Sequence, residues 1–442
     1  MAIHFNAENA GIYLDKHNKE QKLLKSEISN MLLSLKYCYK SDYASVCLPS
    51  DLSHLNESQK IAKKIGKVDL LILVGIGGSN LGTLAVHEAI NGKNYNELRK
   101  GTRFFNVDTL DVFSIQDCIS LMKDYLKRKN KVLLVCSSKS GRTSETIANT
   151  EILFSEFKKL NKNSSRYTVL ITDKYSGLWK LGLKEGFHLL EIPKMVEGRY
   201  SVFSSVGLFP LFFLGIDLKK LLSGAKDMRN VCLSTNILKN PAAHSALVLY
   251  SLWKKNYHIH NTFFFSPKLE SLGKCYRQLM AESIGKEWNA KHKKRVYIGI
   301  TPTVSIGSTD LHSMAQLYLG GPKKEAVHTI VTAGKVPMLK VPSGKFSALV
   351  DGIKEKSTSF IMESISKGFE NALKKQNRPF MHIEIEEISE YNIGAFLQMK
   401  MIEIILLARL MGVNPFDQPN VDDYKNETRK FLQRKSEERN KK

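Results

Sequence analysis

The sequence is poor in cysteine, and its cysteines follow no metal-binding or disulfide pattern. Six occur in 442 residues, and no two of them form a Cys-x-x-Cys pair. In a chain of this length, scattered cysteines indicate reduced thiols in a cytoplasmic protein rather than a zinc site or a disulfide framework. We therefore expect the following six to be unpaired: Cys38, Cys47, Cys118, Cys136, Cys232 and Cys275.

Long hydrophobic runs are also missing. The longest, from Val202 to Ile216, is interrupted by two serines and a proline, and it is shorter than the ~20 residues of a membrane span. The first residues of the chain have neither the basic nor the apolar region of a secretory signal. We predict no membrane association and a cytoplasmic location.

Acidic residues are scarce beside basic ones. The chain has 43 Asp and Glu against 66 Lys and Arg, which leaves a net charge of +23. A field of this sign attracts anions, whether nucleic acid, acidic membranes or small phosphorylated metabolites. Because no aromatic-interleaved RNA-binding signature and no helix-turn-helix pattern is present, we predict no specific nucleic-acid partner.

Strand-like and helix-like segments alternate from residue 68 onwards, in a chain whose length suits two or three domains. The predicted strands lie at 68–76, 103–107, 131–137, 167–172, 188–192, 262–266, 296–300, 329–332 and 382–388. The later predicted helices lie at 268–284, 349–375 and 392–410. Such alternation predicts an α/β protein with mainly parallel sheets covered by helices on both faces. We expect two doubly wound α/β domains after a helical N-terminal segment.

Glycines and a serine follow the first of these strands. In Gly75-Ile76-Gly77-Gly78-Ser79, the glycines let backbone N–H groups approach an anion, and the start of the next helix adds favourable partial charge. The segment is neither a dinucleotide-binding fingerprint nor a Walker A loop. Taken alone, it is equally compatible with a tight turn in which Ser79 caps the helix.

A second turn, from Ser137 to Thr146, is richer in hydroxyl groups. It reads Ser-Ser-Lys-Ser-Gly-Arg-Thr-Ser-Glu-Thr and again joins a strand to a helix. A capping box with Glu145 would explain one hydroxyl, whereas a phosphate monoester, with three acceptor oxygens, would use several. We favour phosphate binding in a crevice at the carboxyl ends of the strands.

Later candidates are weaker when each is taken alone. Arg199 is either a cation for an oxyanion or a snorkelling side chain, and Gln278 and Glu282 share one helix face. A solvated pair between Glu282 and Lys286 is the simpler interpretation of that face. A lone His312 is more often structural, and Lys425 lies in a basic tail.

Together, these segments resemble the glucose-6-phosphate isomerase (phosphoglucose isomerase) family in its compact bacterial-type form. The motifs follow the family's order between about residue 68 and residue 425. They are Gly-Ile-Gly-Gly-Ser at 75–79, Ser-Lys-Ser-Gly-Arg-Thr-Ser-Glu-Thr at 138–146, Gly-Arg-Tyr-Ser at 198–201, Gln-Leu-Met-Ala-Glu-Ser-Ile-Gly-Lys at 278–286, Asp-Leu-His-Ser at 310–313 and Asn-Pro-Phe-Asp-Gln-Pro-Asn-Val-Asp-Asp-Tyr-Lys at 414–425.

The resemblance implies roles for individual residues. Glu282 matches the base that moves a proton between C2 and C1, Arg199 the arginine beside the enediolate, and His312 and Lys425 the residues of ring opening. The substrate, and chiefly its phosphate, would be bound by Gly78, Ser79, Ser138, Lys139, Ser140, Thr143, Thr146 and Gln278. The family needs no metal and no cofactor. It donates the histidine across a homodimer interface, so a homodimer is expected here.

The implied reaction is the reversible isomerisation of glucose 6-phosphate to fructose 6-phosphate through a cis-enediol, in glycolysis and gluconeogenesis. The alternatives are a non-catalytic sugar-phosphate sensor and a broader isomerase that also accepts mannose 6-phosphate. The expected domains are a helical segment at 1–37 that packs with the larger domain, a smaller sugar-isomerase-like domain at 38–213 with the phosphate turns, and a larger domain at 214–442 with the catalytic Glu, His and Lys.

Three positions depart from the family pattern. Glu197 replaces a usual glycine or proline, Asn420 a glycine and Asp422 a glutamate. Of these, Glu197 places a carboxylate two positions before Arg199. Two interpretations stay open: Glu197 forms an ion pair with Arg199 and weakens the electrostatic effect of the arginine, or the two residues do not pair.

Overall fold

A computed structural model describes residues 3–12, 16–98 and 101–440, the last seven by their backbone only. The strands in this part of the chain are β1 (Ile3–Asn6), β2 (Leu70–Val74), β3 (Arg103–Val107), β4 (Val132–Ser137), β5 (Thr168–Thr172), β6 (His188–Glu191), β7 (Ile259–Phe264), β8 (Lys286–Trp288), β9 (Arg295–Ile298), β10 (Thr301–Ile306), β11 (Ala326–Lys335) and β12 (Phe380–Glu387).

The helices fill the connections between the strands. They are α1 (Asn18–Ser34), α2 (Ala44–Cys47), α3 (Ser53–Ile65), α4 (Leu81–Asn91), α5 (Tyr95–Leu98), α6 (Val112–Lys127), α7 (Ser144–Leu160), α8 (Gly177–Glu185), α9 (Ser205–Phe213), α10 (Leu218–Cys232), α11 (Pro241–Trp253), α12 (Glu270–Ile284), α13 (Thr309–Gly320), α14 (Thr358–Lys375), α15 (Glu390–Met411) and α16 (Pro419–Asn440). In the described ranges, no helix combines the length and apolar character needed to cross a membrane.

Ten of the twelve strands in the described residues form two five-stranded sheets. The first has the order β3-β2-β4-β5-β6 and is parallel throughout. The second has the order β1-β12-β11-β7-β10, with only its edge strand β1 antiparallel. Strands β2, β4 and β5 are buried along their whole length, as expected for parallel sheets covered on both faces. The predicted α/β architecture is confirmed.

One continuous hydrophobic core connects the two sheets. It includes Leu71 of the first sheet, Val331 and Ile383 of the second, and nearly all of α15. Within α15, Lys400 Nζ lies 2.8 Å from Glu403 Oε2, and both side chains are almost fully buried. Tyr276 of α12 donates a 2.5 Å hydrogen bond to the other oxygen of Glu403. Because a buried charge must be paired, this network attaches α12 to the core at a defined position.

The structure corrects several sequence expectations. The N-terminal segment is not wholly helical, because β1 pairs with β12 before α1 begins. Both edge strands of the second sheet, β1 and β10, are unpredicted, while the predicted strand at 296–300 falls in a small antiparallel ribbon formed by β8 and β9. The predicted helix at 349–375 begins only at Thr358. Residues 419–440 form a helix. The charged sequence of the tail is compatible with either a terminal helix or a loose end.

The cysteine expectation fails for one pair. Cys38 and Cys47 form a disulfide with Cα atoms 5.7 Å apart. The chain turns back on itself between them, through two short helical segments, and this brings together residues that are nine apart in sequence. The other four cysteines are buried and unpaired, as expected.

Candidate active site

The two glycine- and hydroxyl-containing turns lie side by side. The turn at 75–79 follows β2 and the turn at 138–143 follows β4, and β2 and β4 are neighbouring parallel strands. On the other side of β2 lies β3, so the strand order reverses between β2 and β4. At such a switch point, the connections leave in opposite directions and open a crevice at the carboxyl ends of the strands.

The turn after β2 packs against a second turn. Gly77 has a φ of +63°, and a Cβ on Gly78 would lie 2.2 Å from the carbonyl carbon of Gly198. Only glycine permits this approach, which brings the turn beside Arg199. Ser79 is not the helix cap: Asn80 occupies that position, and its side chain donates to Asn106 instead of bonding to α4. The serine hydroxyl therefore remains on the crevice wall.

The turn after β4 does not form the capping box. Thr143 is at the N-cap of α7, and its side chain makes no capping hydrogen bond within that described helix. Its Oγ1 lies instead 3.0 Å from Ser138 Oγ, and Ser140 Oγ accepts a 3.2 Å hydrogen bond from the backbone N–H of Arg142. Ser140 and Thr143 line the crevice at the start of α7, where the backbone N–H groups and the helix dipole favour an anion.

These turns form one side of a cleft of about 850 Å³. Its other side comes from α12 and from the start of α16. Nine of the twelve residues that the sequence singled out line it: Gly78, Ser79, Lys139, Ser140, Thr143, Arg199, Gln278, Glu282 and Lys425. Ser138 and Thr146 are buried behind the wall. His312 is exposed on α13 and is not part of the lining.

Arg199 is buried, and its guanidinium is held from several directions. Nε donates to Ser283 Oγ at 2.8 Å, and Nη2 donates to the backbone carbonyls of Pro415 and Asp417. Nη1 lies 3.4 Å from Glu282 Oε2. With its side chain 1% exposed, Arg199 cannot be a snorkelling arginine, because snorkelling needs a solvated head group. It is a fixed cation at the end of the cleft.

Glu282 lies between an amide and a guanidinium. Gln278 Nε2 donates to its Oε1 at 2.8 Å, across one turn of α12, and Arg199 approaches its Oε2. The simpler interpretation, an ion pair between Glu282 and Lys286, is wrong. Helix α12 ends at Ile284, and Lys286 instead bonds the Oδ1 of Asp417 at 2.9 Å.

The segment 414–418 is anchored beside Arg199 by ionic contacts. The carboxylate of Asp417 accepts from Lys286 on one oxygen and contacts His292 at 2.9 Å with the other. Lys286 is buried, and burial lowers the pKa of its ammonium group, whereas Asp417 acts in the opposite direction. These contacts fix the two backbone carbonyls that receive Nη2 of Arg199.

Similarity to known proteins bears directly on this cleft. A family model described as phosphoglucose isomerase matches residues 54–335. The glucose-6-phosphate isomerase of Methanocaldococcus jannaschii is 33% identical over 363 residues, which is 82% of this chain and 84% of that protein. The chain belongs to the phosphoglucose isomerase family.

A second relative agrees with this membership, and a solved structure shares the fold of the chain. The glucose-6-phosphate isomerase of Carboxydothermus hydrogenoformans is 31% identical over 86% of this chain and 82% of its own length. The crystal structure of a hypothetical protein from Thermus thermophilus superposes with a TM-score of 0.85 at 27% identity, over 97% of this chain and 99% of that one. The resemblance seen in the sequence motifs is thereby confirmed.

The end of the chain completes the cleft of this family member. The family model stops at residue 335, yet Gln418, Tyr424 and Lys425 line the cleft from α16 and the residues before it. Lys425 Nζ lies 4.0 Å from Asp422 Oδ1. Desolvation raises the pKa of Tyr424, and the nearby Glu145 and Glu282 act in the same direction. Asn420, one of the departures, donates to Glu287 outside the cleft.

Glu197, the main departure from the family pattern, does not pair with Arg199. Its Oε1 accepts a 2.7 Å hydrogen bond from Lys139 Nζ, and both residues line the cleft. The guanidinium group of Arg199 therefore bonds Glu282 and the carbonyls of segment 414–418.

Several residues of the cleft escaped the sequence interpretation. Arg142, Asp173, Tyr175, Lys194 and Gln418 line it, and Ser283 and Asp417 support Arg199. Arg142, Gln418, Ser283 and Asp417 lie inside motifs that carried the resemblance, so a closer look at every polar residue of those motifs could have found these four. In the described residues, no group of three or more His, Cys, Asp and Glu side chains is arranged to hold a metal ion.

Proposed function

We propose that this cleft interconverts glucose 6-phosphate and fructose 6-phosphate. The observation that carries the proposal is the meeting of Glu282 and Arg199, 3.4 Å apart, beside two turns suited to a phosphate. A non-catalytic sensor would need the turns but would have no use for a carboxylate set against a buried guanidinium. Membership of the phosphoglucose isomerase family supports the same reaction, in glycolysis and gluconeogenesis and in the cytoplasm.

The phosphate anchor would be formed by Gly78, Ser79, Lys139, Ser140 and Thr143. Their hydroxyls, backbone N–H groups and ammonium group border the starts of α4 and α7, where helix dipoles favour an anion. Ser138 and Thr146 would act from behind, with Ser138 orienting Thr143 through their hydroxyl contact. The anchor performs no chemistry: its binding energy places the sugar against Glu282.

Proton transfer would occur at Glu282. Once the sugar ring is open, the carboxylate removes the proton from C2, the electrons of that C–H bond form the C1–C2 double bond, and the carbonyl oxygen at C1 takes up the negative charge. The C2 hydroxyl then passes its proton to the oxygen at C1, the electrons of the C1–C2 double bond take back at C1 the proton held by Glu282, and the oxygen at C2 becomes a carbonyl, which completes the isomerisation. Arg199 would stabilise the enediolate, and such fixed donors contribute about 3–4 kcal/mol in comparable sites. Gln278 would orient the base.

Ring opening would use Lys425 and His312, and the histidine would come from a second subunit. Lys425 lines the cleft, whereas His312 faces outward on α13 of the same chain. An imidazole can both accept and donate a proton and can therefore act at the ring oxygen. We therefore propose a homodimer in which each copy of α13 completes the partner's cleft.

An exposed apolar surface supports this dimer. Helices α13 and α14 contribute to one core cluster, and the segment before α14 exposes large apolar side chains. Phe346 is 88% exposed and Leu349 80%, and Met338 and Leu339 are exposed as well. Apolar patches of this kind mark protein interfaces, and most homo-oligomers of soluble proteins are closed dimers.

The test is the formation of fructose 6-phosphate from glucose 6-phosphate by the purified protein, with Glu282→Gln as the matched variant. The amide keeps the shape of the side chain but cannot accept the proton, so turnover should fall by about a thousandfold, while inorganic phosphate still binds. Undiminished turnover in the variant would exclude Glu282 as the base. Phosphate binding without turnover in both proteins would instead favour the sensor.

A further inference from the structure

Glu197 forms an ion pair with a cation of the phosphate turn, inside a cleft that must admit a phosphate. Its Oε1 lies 2.7 Å from Lys139 Nζ, and the two side chains are only 27% and 25% exposed. Lys139 belongs to the turn after β4, between the hydroxyls of Ser138 and Ser140. The pair therefore joins a cation of the phosphate turn to the segment that leads into Arg199.

Both partners are held by their backbones. The carbonyl of Lys139 accepts from the N–H of Asp173 at 3.1 Å and from Thr172 Oγ1 at 3.2 Å. The carbonyl of Glu197 accepts from the N–H of Tyr200 at 2.9 Å. Only the side chains can respond to a ligand, so an arriving anion meets an ammonium group that already has a partner.

We propose that Glu197 is an internal counter-anion of Lys139, which weakens the binding of the substrate's phosphate and so sets the KM of the enzyme. A phosphate that bonds Lys139 must replace the carboxylate or share the ammonium group with it. Either way, the negative charge of Glu197 opposes the phosphate at short range and in a partly desolvated place, where charge interactions are stronger than in water. The binding step becomes an exchange of anions.

Glu197 acts through Lys139 and touches no reacting atom, so it is a positioning residue whose effect falls on binding. Arg199 is held by Ser283, by Glu282 and by segment 414–418, and none of these contacts involves Glu197. Removal of the carboxylate should therefore lower KM and leave kcat nearly unchanged. The inference rests on the proposed site of the phosphate at Lys139.

The experiment compares wild type with Glu197→Gln, which keeps the size of the side chain and removes its charge. We expect the KM for fructose 6-phosphate and the inhibition constant of inorganic phosphate to fall together by about fivefold, the effect of one partly exposed ion pair. Values of KM and inhibition constant that stay the same or rise in Glu197→Gln would overturn the proposal.

Two controls separate the pair from the general field of the cleft. Glu145 also lines the cleft, and no ion pair to it occurs among the described residues, so Glu145→Gln removes the same charge without freeing Lys139. An equal gain in that variant would overturn the proposal. In a Lys139→Met background, Glu197→Gln should have no effect on KM, and a persistent effect would likewise contradict a role through Lys139.

The same measurements test the phosphate site separately. If Lys139→Met alone weakens inhibition by inorganic phosphate, the phosphate site stands whatever Glu197 does. If phosphate does not compete with the sugar phosphate in the wild type, the proposed anchor is wrong and the role of Glu197 is lost with it.

Discussion

Arg199 is constrained more than any other residue of the cleft, and its contacts use the geometry of the guanidinium. Nε, Nη1 and Nη2 each donate in a different direction, to Ser283, to Glu282 and to two backbone carbonyls. A lysine carries the same charge as a single point and cannot reach all of these acceptors at once. The residue type therefore matters at this position as much as the charge.

We expect Arg199→Lys to lower kcat by about a hundredfold while KM changes much less, because the lost interaction is with charge that develops only in the transition state. Steady-state kinetics in both directions provide the measurement. A kcat within a fewfold of wild type would show that charge alone suffices. Lys194→Arg, a substitution in another cation of the same cleft, controls for a general effect of exchanging lysine and arginine.

Among the elements, segment 414–418 and the start of α16 show how a charged contact supports a site. Asp417 binds Lys286, whose side chain is 4% exposed, and also His292. Its own backbone carbonyl receives Arg199. Loss of this carboxylate would leave the buried ammonium group of Lys286 in contact with a backbone carbonyl only. A buried charge without a counter-charge destabilises the folded state far more than a solvated charge does.

Asp417→Asn should therefore reduce the free energy of unfolding by about 2 kcal/mol, a value below that of a fully buried pair because Asp417 remains partly exposed. Urea denaturation measures it. Asp422→Asn is the matched control: that carboxylate is 69% exposed and lies 4.0 Å from Lys425, so its removal should change stability by less than about 0.5 kcal/mol. Equal effects of the two substitutions would contradict the anchoring role.

The elements also show what the sequence could predict. All five strands of the first sheet were predicted, because each is a short, largely apolar run that ends at a turn. Strand β10 is missed because half of its residues are polar and one is a proline, in the sequence Thr-Pro-Thr-Val-Ser-Ile. It is an edge strand, and Ser305 bonds Asn261 and Tyr318 behind it. Hydrogen bonds between side chains of different strands and helices do not change the spacing of apolar residues along the sequence, so they cannot be predicted from that spacing.

The site shows the same division. The two turns and Glu282 could be predicted because each lies within a local motif. The ion pair of Glu197 with Lys139 spans 58 residues and the bond of Arg199 to Asp417 spans 218. The first contact depends on how the loops after β4 and β6 meet at the end of the first sheet, and the second on how the end of the chain packs against that sheet. Neither local spacing nor the family pattern reveals them.

For the whole molecule, buried histidines couple stability to pH. Burial lowers the pKa of His87 and that of His328 to about 4, below the ordinary value of about 6.5. Between these values the unfolded chain binds protons that the folded chain does not. The contribution of these two histidines to the free energy of unfolding is therefore fully present above pH 6.5 and is lost as the pH falls towards 4.

We expect each of these histidines to remove about 2 kcal/mol of stability between pH 7 and pH 5. His87→Gln is neutral throughout, and its amide oxygen can replace the ring nitrogen as the partner of Asn91. Urea unfolding at pH 5 and pH 7 should thus show a smaller loss in the variant than in wild type. Between pH 7 and pH 8, where the imidazoles are neutral in both states, the two proteins should differ little in slope. Identical losses down to pH 5 would refute the contribution of His87.

The assembly proposed for the cleft makes a sharper prediction. If His312 serves the partner's cleft, a heterodimer of one Glu282→Gln subunit and one His312→Ala subunit contains one intact site, built from Glu282 of one chain and His312 of the other. Coexpression with two affinity tags isolates this heterodimer. It should recover about half of the wild-type activity per dimer, although both parent homodimers are nearly inactive.

A second heterodimer provides the control, because Glu282 and Arg199 contact each other within one chain. Pairing Glu282→Gln with Arg199→Lys leaves no cleft with both groups intact, so this combination should show no recovery beyond the residual activity of its Arg199→Lys cleft. Recovery in the first pair alone would mean that α13 crosses to the neighbouring cleft. An assembled first heterodimer without recovered activity would place His312 in the service of its own chain, and its outward position on α13 would then require a closing movement within the subunit.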